Sequence, residues 1–270
     1  MEAKFEQFLK ERRYLKNVSP RTIEWYEQSF RWLAIANPTQ ADITDLVVKM
    51  REAGLSPTSC NARLRAIAAY LNWSGSTVRV QKLKEPIRVL PMFKIEDIAK
   101  LAKWKPQTAF LRRVQLLTLM MVDTGCRISE LLTLTWDSVD FDNCLVTVLG
   151  KGDKQRIIPF SIELRRYLYK FKQSSQFRLV FATNVGTAMQ IRNVHRAVGN
   201  ACKQLGIEAP VRKLHAFRHT FATTYIKRGG SVFHLQQALG HTSITMSQRY
   251  CHLSTADLQA VHQRVSLLSR

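Results

Sequence analysis

The sequence predicts a mainly α-helical chain with a small antiparallel β-sheet, an α+β protein in two parts. Three observations carry this. The first 80 residues repeat apolar positions at helical spacing, with helix-start signals between the repeats. That pattern breaks down from Val78 to Pro91. Beyond it, two β-rich segments joined by a glycine-flanked turn stand among further helical stretches.

Phe5, Phe8, Leu9, Tyr14 and Leu15 mark the first predicted helix. Ser19-Pro20 places a capping serine before a proline at the first helical position, and Ile23, Tyr26, Phe30 and Leu33 line one face of the second helix. Asp42 is expected to cap a third helix ending at Gly54. Ser56-Pro57 repeats the start signal for a fourth, striped by Ala62, Ile67, Ala68 and Leu71. These four make a helical domain over residues 1–80. Residues 81–91 read as a basic linker, since lysines, Pro86 and Pro91 disfavour a helix. Residues 92–270 form the second domain. Phe110–Asp123 is an apolar helix, and Cys144–Leu149 and Gln155–Phe160 are hairpin strands around Gly150-Lys151-Gly152. Arg178–Thr183 is expected to supply a third strand. A helix follows over about Lys213–Arg228, and Ser254–Leu268 reads as an amphipathic tail helix within 254–270.

Charge narrows the function classes. The 270 residues carry 41 Lys and Arg against 20 Asp and Glu, a net charge of +21. Such an excess on a compact body points to an anionic partner, and nucleic acid is the usual one. Both parts share it: residues 1–85 hold 14 basic and 9 acidic side chains, residues 86–270 hold 27 and 11. A membrane surface is the less favoured partner, since no basic amphipathic helix presents a continuous apolar face, and the longest apolar run, Leu116–Val122, is far too short to span a bilayer. No signal peptide opens the chain, so a cytoplasmic location is expected. The five cysteines form no CxxC and are expected to be free thiols, with no metal site and no cofactor.

The last quarter carries the chemistry. His215-Ala-Phe-Arg218 puts an imidazole and a guanidinium three residues apart on one helix face, where both can reach one phosphate. Arg127 follows the Thr124-Gly125-Cys126 turn, with Glu130 three residues on to hold it. Lys151, between two glycines, can swing toward a ligand and can give up its proton, which an arginine does not. His241 follows Leu239-Gly240 at a helix end, and Tyr250 lies nine residues later. His219 is read as structural, facing away from His215, and His252 as a weaker candidate. Cations, proton handlers and a phenol are what attack on a phosphodiester needs.

In order and spacing these pieces resemble the tyrosine recombinase, or phage integrase, family, over nearly the whole chain. The resemblance implies a simple two-domain type, with no room before Phe5 for an arm-binding domain. It implies a SAM-like core-binding domain and a catalytic domain that close as a C-shaped clamp on DNA. Tyr250 would attack the scissile phosphate to give a 3′-phosphotyrosyl bond and a free 5′-hydroxyl. Arg127 and Arg218 would bind the non-bridging oxygens, Lys151 would protonate the 5′-oxygen, His215 would assist proton transfer, and His241 would donate to the phosphate. Glu130 would support the site, and Arg63, Arg65, Arg79, Lys82, Lys84, Lys154 and Arg156 would contact DNA. The implied partners are double-stranded recombination sites, further copies of the chain in a tetramer, and accessory DNA-bending proteins. The expected function is site-specific recombination for integration, excision or resolution. A type IB topoisomerase or a catalytically silent DNA-binding regulator are the alternatives. Cys251 departs from the family's common Tyr-Thr-His arrangement and is expected to be tolerated.

Overall fold

A computed structural model describes residues 3–86, 90–150, 154–251 and 263. It divides into two compact units, Met1–Arg88 and Val89–Arg270.

The first unit is helical. Helices α1 (Ala3–Tyr14), α2 (Pro20–Leu33), α3 (Gln40–Glu52) and α4 (Pro57–Trp73) pack around one aromatic core. Phe5, Phe8, Tyr26, Phe30 and Tyr70 contact one another there, and the Tyr70 hydroxyl donates to the Ala36 carbonyl at 2.8 Å. Ser19 and Ser56 cap α2 and α4 as their Ser-Pro pairs require. The cap of α3 is Thr39, not Asp42. Asp42 sits three residues inside the helix and returns a bond to the Thr39 backbone, a reciprocal capping box. Residues 78–85 are non-helical yet lie along this unit. Val78, Val80 and Leu83 pack on its core, and the Asn61 amide holds the Leu83 backbone from both sides at 2.8 and 2.9 Å.

The second unit begins with α5 (Ile95–Lys103) and α6 (Ala109–Thr124), then a short α7 (Ile128–Leu132). A three-stranded antiparallel sheet follows: β1 (Val139–Asp140), β2 (Leu145–Leu149) and β3 (Gln155–Pro159), in that order. Val146 stands opposite Ile158, and both are buried, so this sheet face belongs to the core. The third strand is β1 rather than 178–183. That later segment makes isolated bridges, Thr135 with Leu179 and Ala182 with Ala188, because a turn at Val180 and Phe181 stands between them. Helices α8 (Ile162–Gln173), α9 (Ile191–Gln204), α10 (Lys213–Lys227), α11 (Val232–Leu239) and α12 (Thr245–Gln248) complete the described chain. Only the single turn of α12 stands between α11 and Tyr250. Most of this unit shares one core, and α6 and α10 lie side by side within it. A smaller cluster of Ala222, Ile226, Leu235, Leu239 and Tyr250 ties α10 and α11 to the residues after α12. The tail helix read over 254–270 lies outside the described residues except at Gln263.

Candidate active site

The site is built where helices end. An α-helix leaves its last carbonyls without partners, and they carry partial negative charge. Gly125, with φ of 67°, ends α6, and Gly240, with φ of 61°, ends α11. Both are in the left-handed region that glycine adopts without strain. Arg218, on α10 between them, spends donors on these ends. Its Nη1 donates to the Gly125 carbonyl at 2.6 Å and its Nη2 to the Leu239 carbonyl at 2.7 Å. The side chain is buried, at 8% residue exposure. Burial, and then the nearby Arg127, pull its pKa down to about 10, so it stays cationic at neutral pH.

Beside it, Glu130 collects four hydrogen bonds. The Arg127 backbone N–H and Nη1 donate at 2.7 and 2.9 Å. Arg156 binds it with both terminal nitrogens at 2.9 and 2.8 Å. Burial raises the Glu130 pKa, but these bonds, Arg156 first, outweigh it and hold the carboxyl below its usual range. The carboxylate thus fixes Arg127 at the start of α7 with its side chain 37% exposed. Arg156 is not an outward DNA contact. Its side chain is 12% exposed, and its Nε donates to the Ala238 carbonyl at 2.9 Å. It ties β3 to α7 and α11, because a guanidinium with a buried carboxylate in reach stays on it.

The histidines divide by role. His241 is buried, with Nε2 3.1 Å from Arg218 Nη2 and Nδ1 2.8 Å from Ser247 Oγ. A guanidinium accepts nothing, so His241 Nε2 accepts and Nδ1 carries the proton toward Ser247. Burial and then Arg218 push its pKa down to about 4. His215 is exposed, and burial followed by Arg212 and Arg218 lowers its pKa as well. His219 does not turn away from the site. Residues four apart share a helix face, and His219 Nδ1 lies 2.9 Å from the Tyr250 hydroxyl. Tyr250 itself is 5% exposed, with the Arg249 guanidinium 5.5 Å from its ring centre.

The structure thus gathers Arg127, Glu130, Arg218, His241 and Tyr250, and adds Arg156, His219 and Ser247. The spacing of four from His215 carried a signal for His219; Ser247 gave none. Lys151 and His252 lie outside the described residues, although the Gly150 N–H donates to the Lys154 carbonyl at 2.9 Å across the hairpin neck. Lys154, Arg65, Arg79, Lys82 and Lys84 are exposed. Arg63 is half-buried, donates to the Ser59 carbonyl and lies over Trp32. A basic face passed over in the sequence runs along α9. There Arg192, His195, Arg196 and Lys203 are exposed opposite the buried Val194, Val198 and Cys202, with no acidic residue on the helix. Such cations can bind phosphate oxygens and stabilise charge that develops on them.

The profile of the phage integrase family matches residues 88–257. Tyrosine recombinase XerA of Pyrococcus horikoshii is 30% identical over 240 residues, covering 86% of this chain and 82% of that protein. Tyrosine recombinase XerC of Xanthomonas campestris is 27% identical over 281 residues, covering 95% and 86%. Among solved structures, the Tn1549 transposon integrase in complex with circular intermediate DNA superposes with a TM-score of 0.80 at 20% identity, covering 97% of this chain and 99% of that one. The XerH site-specific recombinase bound to palindromic difH substrate gives a TM-score of 0.72 at 20% identity, covering 98% and 84%. The chain belongs to the phage integrase family and is a tyrosine recombinase, a DNA breaking-and-rejoining enzyme of site-specific recombination.

Proposed function

We propose that Tyr250 is the nucleophile of this recombinase and that Arg127 and Arg218 hold the scissile phosphate. The convergence of these side chains from separate segments, through the helix ends of α6 and α11, carries the reading. The Tyr250 oxygen forms a bond to phosphorus while the bond from phosphorus to the 5′-oxygen breaks. His215 assists removal of the phenol proton, and Lys151 supplies one to the 5′-oxygen. The product is a 3′-phosphotyrosyl bond, which keeps the energy needed to rejoin the strand, so no nucleotide cofactor is required. Charge growing on the phosphoryl oxygens meets cations already in place. Once DNA displaces its present bond with Arg218, His241 changes tautomer, so that Nδ1 accepts from the Ser247 hydroxyl and Nε2 donates to the phosphate.

Both basic units bind duplex DNA. Lys154, Arg63, Arg65, Arg79, Lys82 and Lys84 would lie along the backbone, joined by the exposed face of α9. Four copies assemble on paired sites in the cytoplasm, linked by the tail 254–270 and aided by DNA-bending proteins, to integrate, excise or resolve an element. Truncation after Leu253 should then preserve single-site binding in gel shifts and abolish strand exchange; full exchange by the truncated protein would remove the tail from the assembly.

A denaturing selection tests the chemistry. Incubated with labelled nicked duplexes of randomised sequence, the protein should yield a covalent adduct that Tyr250→Phe does not form while still binding DNA. Sequencing the trapped ends gives the target site. An adduct retained by Tyr250→Phe would end the assignment of the nucleophile.

A further inference from the structure

We propose that His219 is the positioning residue of the nucleophile: its Nδ1 accepts a hydrogen bond from the Tyr250 hydroxyl and so sets the direction in which the phenol oxygen meets phosphorus. The inference rests on the reading of Tyr250 as the nucleophile and adds a residue to it.

Geometry carries it. The Nδ1 to Oη distance is 2.9 Å, and the rings lie 5.9 Å apart at 44°. Among the described residues His219 is the hydroxyl's one hydrogen-bond partner. The phenol ring cannot orient itself, since it sits after a single helical turn and packs among Ala222, Ile226, Leu235 and Leu239. His219 is also the neighbour of Arg218 in the middle of α10. One rigid stretch of backbone therefore fixes both the phosphate-binding guanidinium and the partner of the attacking oxygen. Such a reaction tolerates little misplacement: a displacement of about 1 Å at the reacting atoms costs on the order of 100-fold in rate.

The surroundings settle the kind of role. Arg249, His215 and Arg218 all face His219, and the Tyr250 phenol is the acid that touches it. Burial first, and then these cations, push its pKa down to about 4. The imidazole is therefore neutral at physiological pH and has one ring nitrogen free to accept. It is too weak a base to take the proton outright. His219 thus orients the phenol before attack and keeps no proton: as the oxygen bonds to phosphorus, the phenol proton leaves this hydrogen bond for His215, as assigned above.

The test uses the full chain and a nicked duplex carrying the site recovered in the selection above. His219→Ala, His219→Asn and His219→Gln are compared for adduct formation and for DNA affinity in the same samples. The Asn oxygen stands near the lost Nδ1, whereas the Gln oxygen stands near Nε2. His219→Ala should form adduct about 100-fold more slowly with DNA affinity unchanged. Asparagine should recover most of that loss and glutamine should not. Wild-type adduct rates in His219→Ala, or asparagine no better than alanine while both bind DNA, would overturn the proposal. Variants that all fail to bind DNA would make His219 a folding residue and overturn it too. An adduct formed by Tyr250→Phe would instead condemn the nucleophile assignment.

Discussion

At the scale of single residues, Glu130 organises the site more than any cation does. A carboxylate offers about four lone-pair positions, and here Arg127 and Arg156 occupy them all. Removing it would leave two guanidinium groups facing each other in a mostly buried place. Glu130→Ala should therefore lower stability by about 3–5 kcal/mol, measured by denaturant unfolding, and should abolish adduct formation. Arg156→Met tests the corrected role of that arginine. It should reduce unfolding stability while leaving the salt dependence of DNA binding unchanged, since Arg156 is held against protein and not phosphate. The functional types were legible in the sequence because His-x-x-Arg and Gly-Cys-Arg-x-x-Glu place partners at short range. Arg156 was not, since its neighbours Gln155 and Ile157 in an alternating strand resemble any outward basic residue. Its partners lie 26 and 82 positions away, at Glu130 and Ala238, and only the fold brings them together.

Elements matter here mainly through their ends. Gly125 turns α6 with φ of 67°, and a Cβ added there would fall 2.4 Å from the Phe221 ring and 2.8 Å from Leu239. Gly125→Ala combines backbone strain with a clash against the Phe221 ring. The expected cost is about 2 kcal/mol or more, together with loss of cleavage, because the Gly125 carbonyl that Arg218 grips would shift. Thermal unfolding and the adduct assay read the two effects separately. Helix starts were legible where a Ser-Pro pair announced them, at Ser19 and Ser56. Thr39 was overlooked because Asp42 is an equally good capping type, and only the reciprocal bond distinguishes cap from third residue. The third strand was misplaced for a related reason. Arg178–Thr183 has apolar residues suited to a strand, yet the two-residue β1 pairs with β2 through a tight local turn. Sequence pattern registers composition, whereas pairing depends on which segment arrives beside the sheet.

For the whole molecule, charge and protonation set the behaviour. With a net charge of +21, DNA affinity should fall steeply with salt, with a log–log slope of roughly −5 to −9 if six to ten phosphates are neutralised. A flat response in gel shifts between about 50 and 200 mM salt would contradict extensive phosphate contact. Acid should unfold the Val89–Arg270 unit early. His219 and His241 both have folded pKa values of about 4, below the ordinary value of about 6.5. The unfolded chain therefore takes up their protons first, and stability declines as pH falls from about 6.5 toward 4. After allowance for solvent screening each contributes about 1–2 kcal/mol, visible as a falling melting temperature over that window.

Arg218 extends this beyond catalysis. Among the described residues its hydrogen-bond partners are two peptide carbonyls and an imidazole, with no carboxylate bonded to it. A cation held this way is a standing charge without a bonded counter-anion, and an oxyanion that reaches it binds the folded form alone. Sulfate or pyrophosphate in the storage buffer should therefore raise the melting temperature by mass action, even though neither can be cut. Protein prepared without such anions would be in its least durable form, and its shelf life would report on a bond it has yet to make.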